Sequence, residues 1–199
     1  MGRSETTTTW KVERGEILDL NAYDRVREET IRRVVALKNL RRVSIGDRIS
    51  LAFECKDTVL FQIQEMLRVE RIYEEERIRE EMAVYDEILP RDGELSATLF
   101  IEITSQDRVE TDLNTLFGIE ECLWMEIGDA HRLQAWFEPG HSKEDKISAV
   151  HYVRFRLSPA MRDAFKAGAR VVISIDHPRY HARTELPAAQ VAELAKDLG

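Results

Sequence analysis

Apolar and polar positions along the chain change period several times, and each change marks an element. Between Tyr23 and Leu40, Val26, Ile31, Val34, Val35 and Leu37 recur at helical spacing on one broad face, with Asn21 placed to cap the helix. Gly46-Asp47 breaks that pattern. Ile49, Leu51 and Phe53 then alternate with Arg48, Ser50 and Glu54, the period of a strand with one face buried. From about Thr58 to Leu89 the spacing is helical again. Asp57 stands at its start, and Pro90-Arg91-Asp92-Gly93 stops it.

The second half reads as shorter elements. Leu95–Thr104 is a strand with Leu99, Ile101 and Ile103 on one face, and Ser105 caps a short helix ending near Gly118. Cys122–Ile127 and His131–Phe137 form a hairpin through Gly128-Asp129-Ala130, followed by a polar loop from Pro139 to Lys146. A strand over Ala149–Leu157 leads into Ser158-Pro159, where the hydroxyl caps a helix and the proline fits its first turn. That helix ends at Gly168. Val171, Ile173 and Ile175 make a last strand ended by Pro178, and a final helix runs from about Pro187 to Leu198. Hairpin-linked strands with irregularly interspersed helices predict an α+β fold. The expected architecture is a mostly antiparallel mixed sheet of about six strands with a long central helix and flanking helices. Residues 1–15, with the Thr6–Thr9 run, read as a disordered tail, and residues 16–199 as a single domain.

The long helix carries an anomaly. At ~100° per residue, Val59, Leu60, Ile63, Met66 and Leu67 share a stripe, and Ile78, Met82, Tyr85 and Leu89 lie close to it. Between these groups the stripe is occupied by Glu70, Glu74, Arg77 and Glu81. A buried unpaired carboxylate costs several kcal/mol, so the pattern needs an explanation. The helix bends or breaks near Tyr73, or it projects into solvent or against a partner subunit, or Glu70 and Glu74 ligate a metal. The metal reading lacks the Glu-x-x-His pair of di-iron bundles, because no histidine lies in this segment.

Composition narrows the function classes. The chain has 199 residues, 43% hydrophobic and 33% charged, with 9 Gly and 5 Pro, which describes one ordinary globular domain. A net charge of -8, from 29 Lys plus Arg against 37 Asp plus Glu, argues against nucleic-acid binding. No apolar run reaches the ~20 residues of a membrane span, so no membrane association is expected. Cys55 and Cys122 have no metal-ligand spacing around them and fit a reducing, cytoplasmic compartment. Residues 22–48 are rich in arginine and the long helix in glutamate. The two segments lie together, within a protomer or across a dimer, or present two solvated faces.

Candidate chemistry is sparse. Of His131, His141, His151, His177 and His181, His151 alternates with Ala149, Val153 and Phe155 and points inward. If the last two strands are neighbours, His151, Arg154, Asp176, His177 and Tyr180 converge, and Asp176 could orient a histidine for proton transfer. The competing explanation is a satisfied core histidine and a capped strand end. Glu65 and Arg68 are outlying candidates. No Gly-rich phosphate loop or Gly-x-Ser-x-Gly occurs. Neither cysteine has a helix N-terminus or local histidine to activate it.

Five strings carry a family resemblance. They are Arg41-Arg42-Val43-Ser44-Ile45-Gly46-Asp47, Asp57-Thr58-Val59-Leu60-Phe61-Gln62-Ile63-Gln64-Glu65-Met66-Leu67, Gly93 to Ile103, Ser148-Ala149-Val150-His151-Tyr152-Val153-Arg154-Phe155 and Asp176-His177-Pro178. Together they resemble a bacterial family catalogued as a domain of unknown function, numbered three thousand five hundred and one, across nearly the whole chain after the tail. The resemblance implies a compact bacterial cytosolic protein and an association with rubrerythrin-like and iron–sulfur reductase proteins, without a catalytic residue to transfer. Two functions are therefore expected in competition. One is a non-enzymatic accessory protein that binds a protein partner or itself, serving a redox or oxidative-stress system and using no cofactor. The other is a small-molecule-binding protein or enzyme built on His151, Arg154, Asp176 and His177.

Overall fold

In a computed structural model, residues 11–102, 113–139, 142–143 and 146–199 are described. They form an α+β domain in which every paired strand is antiparallel. Where one sheet of about six strands is expected, there are two principal sheets and a two-residue ribbon. The larger runs β1 (Arg42–Ile45), β2 (Ile49–Phe53), β3 (Glu94–Ile101), β9 (Val150–Arg156) and β6 (Trp136–Phe137) in spatial order. The smaller runs β11 (Tyr180–Glu185), β10 (Val171–His177), β4 (Leu123–Ile127) and β5 (His131–Gln134). The ribbon, β7 (Ser142–Lys143) with β8 (Lys146–Ile147), lies in the expected polar loop.

Register explains the layering. In the larger sheet Leu51 faces Leu99, which faces His151, while Phe53 faces Ala97 and Ala97 faces Val153. These residues share one face with Val43, Ile45, Leu95 and Phe155, all buried. Leu123, Met125, Ile127, Val171, Ile173 and Ile175 of the smaller sheet join the same apolar cluster, so the two sheets enclose one core. The other face of the larger sheet carries Ser50, Ala52, Glu54, Ser96, Thr98 and Arg154, because side chains alternate along each strand. Ser50, Glu54, Ser96, Thr98 and Arg154 are buried too, since helices cover that face. The expectation that Ser50 and Glu54 look into solvent is thus corrected.

The helices on that side are α1 (Leu20–Arg41), α2 (Lys56–Val69) and α3 (Glu75–Asp86). The long central helix is two helices. Arg71 adopts a positive φ of 53° between them, and Glu70 and Glu74 lie in the connection, exposed. The break near Tyr73 resolves the glutamate-interrupted stripe, because α2 and α3 each turn their own apolar face inward. Val59, Ile63 and Leu67 of α2 pack with Ile78 and Met82 of α3 in a second cluster, which Val12 and Ile17 complete. Val12 has no exposed surface and Arg14 bonds Glu75, so residues 11–15 are ordered where a tail is expected over 1–15. Asp19 caps α1 in place of Asn21, accepting from Ala22 N at 2.8 Å. Helix α4 (Pro159–Lys166) starts at Ser158 as expected, and α5 (Ala188–Leu194) runs into a 3-10 turn at Ala195–Leu198. Ile103 and most of the short helix expected from Ser105 lie outside the described residues, as does His141.

Candidate functional site

The residues that sequence alone singles out are not brought together. His151 and Arg154 are three apart on β9, so they point to opposite faces of the larger sheet. Asp176 and His177 are consecutive on β10 and do the same in the smaller sheet. His151 is inward and 1% exposed, with Nε2 at 2.8 Å from Ser148 O and its ring edge-on to Phe137. His177 is also inward, with Nε2 at 2.9 Å from Phe117 O, and Nδ1 accepts from Arg179 N at 3.2 Å. With Nδ1 accepting, Nε2 is the donor to the carbonyl, so both ring nitrogens are bonded within the fold. Asp176 is exposed and pairs with Arg132, beside the exposed His181.

Arg154 is a clamp. It donates to Glu94 Oε2 and to the carbonyl of Leu89, each at 3.0 Å, and to the carbonyl of Glu87, pinning the chain between α3 and β3. Glu65 accepts a bidentate pair from Arg27 at 2.8 and 2.7 Å and a third bond from Tyr23. The Arg27 bonds, outweighing burial, hold its carboxyl below the usual range. Arg68 bonds Asp24 at 2.7 Å, so the basic first helix and the acidic second one do lie together within one chain. Glu70 and Glu74 flank the α2–α3 break, and no cluster of three or more metal-ligating side chains occurs among the described residues.

Cys55 is the N-cap of α2, contrary to the expectation that no helix start lies near it. Burial pushes its thiol up despite the neighbouring Arg41 guanidinium. Burial likewise raises Cys122, helped by Glu121, Asp176 and Glu120. Neither is poised as a nucleophile.

The structure instead presents a cleft that sequence reading misses. It holds about 470 Å³ between α1, α2 and the polar face of the larger sheet. Glu54 forms its floor at 5% exposure. Thr58 Oγ1 donates to Glu54 Oε2 at 2.6 Å, Gln62 Nε2 donates to the same oxygen at 3.2 Å, and Thr98 Oγ1 donates to Oε1 at 3.0 Å. Thr58 and Gln62 follow Glu54 at steps of four, one stripe of α2 facing the strand end. Thr98 arrives from β3 because it pairs with Ala52. Lys38 and Asn39 from the end of α1 and Arg42 from the start of β1 stand at the mouth, with Phe100 and Tyr152 along the wall. Arg42 lies over the Phe100 ring and bonds Glu102 at 2.7 Å and Ser50 at 2.8 Å. The signal for this site was the polar series Glu54, Thr58, Gln62 at steps of four, running beside the apolar stripe of Val59 and Ile63. A cleft of this size with a few convergent polar groups is the usual form of a small-molecule site.

Comparison with known proteins follows the fold. A family model described as a protein of unknown function (DUF3501) matches residues 11–198. A crystal structure of a novel protein of unknown function from Burkholderia pseudomallei is similar at 36% identity with a TM-score of 0.89, covering 95% of this chain and 100% of that one. Among curated proteins, none matches.

Proposed function

The chain belongs to the DUF3501 family of proteins of unknown function, and from that premise we propose that it is a small-molecule-binding protein whose site is the cleft between α1, α2 and β2–β3–β9. The observation that carries this reading is the buried Glu54 carboxylate lining a cavity of about 470 Å³, to which the donors among the described residues are all uncharged. A packed structural carboxylate would meet a cation, as Glu94 meets Arg154 and Arg156. Three neutral donors orient Glu54, and a carboxylate with about four acceptor positions keeps room for one further donor. The test is a screen of small metabolites by amide chemical-shift perturbation on the full chain. Binders should move the amides of Glu54, Gln62 and Thr98. Ala52→Phe, which fills the cleft from β2, should abolish those shifts and leave the melting temperature within a few degrees. A broad screen that never moves the cleft amides removes the proposal.

An accessory role remains the second reading. Val69, Tyr73 and Val84 are 67%, 74% and 64% exposed on and around the acidic α3, which favours contact with a protein. The partners in question are a second copy of the chain or the rubrerythrin-like and iron–sulfur redox proteins that the family resemblance implies, in a bacterial cytoplasm that suits two unpaired thiols. Light scattering and capture from native lysate decide it: a monomer that retrieves no stoichiometric partner ends this reading.

A further inference from the structure

The charges inside the cleft say what its ligand must carry. Burying a carboxylate without a countercharge costs several kcal/mol, and bonds from neutral donors offset only part of that. No cation among the described residues reaches the Glu54 carboxylate. The Arg41 guanidinium is directed to the Glu54 main-chain carbonyl at 3.2 Å and is occupied by Asp197 and Glu193. Arg42 is matched by Glu102. Lys38 is the converse case. It stands at the mouth with Nζ 5.7 Å from the Phe61 centroid, and no carboxylate pairs with it among the described residues. The cleft thus holds one carboxylate at its floor and one ammonium at its mouth, neither paired with an opposite charge. Ala52, Phe100 and Val150 supply apolar wall between them.

Resting on the binding reading above, we infer that the ligand is amphoteric, an amino acid or ω-amino acid whose ammonium seats on Glu54 and whose carboxylate meets Lys38. Glu54 accepts three bonds, and a carboxylate offers about four acceptor positions, so an ammonium adds to the network without displacing a donor. A divalent metal fits poorly, because it needs several oxygen ligands and Glu54 is the one carboxylate in the lining of the cleft. The apolar wall suits an aliphatic spacer.

Four probes of matched chain length test this on the full protein by titration calorimetry and amide shifts: ε-aminocaproate, hexylamine, hexanoate and hexanol. Each charge-assisted contact is worth about tenfold in affinity. ε-Aminocaproate should therefore bind at least about tenfold more tightly than hexylamine or hexanoate, and hexanol weakest of all. Glu54→Gln should remove the advantage of the ammonium and spare hexanoate. Lys38→Met, on α1 and giving up only the contact of the ammonium with the Phe61 ring, should remove the advantage of the carboxylate and spare hexylamine, and it keeps the test open if the Glu54 variant does not fold. Equal binding of all four probes at the cleft amides overturns the amphoteric ligand while the cleft stands as a binding site. No shift at those amides with any probe or any library compound removes both.

Discussion

At the scale of single residues, the buried charges are the most demanding positions. Arg41 is 2% exposed and donates to Asp197, to Glu193 at 3.2 Å and to the carbonyls of Phe53 and Glu54. It joins α1, the end of β2 and the C-terminal turn in one knot. Removing the guanidinium takes from buried Asp197 its Arg41 pair and from two carbonyls their donor. Breaking a buried pair from one side costs about 3–5 kcal/mol. Arg41→Met should therefore lower the urea-unfolding free energy by about that amount, and adding Asp197→Asn should recover part of the loss. A single variant within about 0.5 kcal/mol of the parent would show that the knot contributes nothing. The residue scale is also where sequence reading was weakest. The inward turn of His151 followed from alternation, but the same alternation sends Arg154 the other way and separates Asp176 from His177. Glu54 read as solvent-facing because Ile49, Leu51 and Phe53 occupy one face, and nothing local says that helices cover the other.

At the scale of elements, most boundaries were legible because they rest on local chemistry: Ser158-Pro159, the turn through Gly128-Asp129-Ala130, and the stop at Pro90. Strand β11 was missed, since Tyr180–Glu185 carries a histidine, an arginine and a glutamate on its exposed positions and gains its strand from pairing with β10. The α2–α3 junction was legible only as an anomaly of charge. Its cause is backbone geometry at Arg71, whose φ of 53° is a region that side chains with a Cβ enter at a cost of roughly 1–2 kcal/mol. Arg71→Gly removes that cost but raises the conformational entropy of the unfolded chain, which offsets part of the gain, so stability should rise by up to about 1 kcal/mol. Were the segment a continuous helix, the same glycine would cost about 1 kcal/mol. The sign of the change in urea midpoint distinguishes the two.

At the scale of the whole molecule, the two apolar clusters set the order of opening. The larger lies between the sheets and draws on β1–β4, β9 and β10, while the smaller lies among α2, α3 and the segment holding Val12 and Ile17. What joins them across the larger sheet is polar: Glu54 with Thr58 and Thr98, Ser96 with the Ile88 carbonyl at 2.6 Å, and the Arg154 clamp. Polar contacts contribute about 0.5–1.5 kcal/mol each in net terms, less than the burial of a core side chain. Helix α1 is tied to the sheet side through Arg41 in its own last turn, whereas α3 meets the sheet only past its last turn, where Arg154 bonds the Glu87 and Leu89 carbonyls, and otherwise rests on α2 and the N-terminal segment. Local opening should follow that difference. Native-state hydrogen exchange is expected to show α3 amides exchanging through an opening of lower free energy than those of β3, β9 and β10. Removing residues 1–18 should lower the α3 value further while leaving β10 unchanged, since Val12 and Ile17 pack only in the smaller cluster. Uniform protection across both layers would mean the polar interface couples them as tightly as a shared core. The cleft sits on this seam, so a ligand bridging Glu54 on β2 to Lys38 on α1 should raise protection in α1 and α2 before it alters the inter-sheet core.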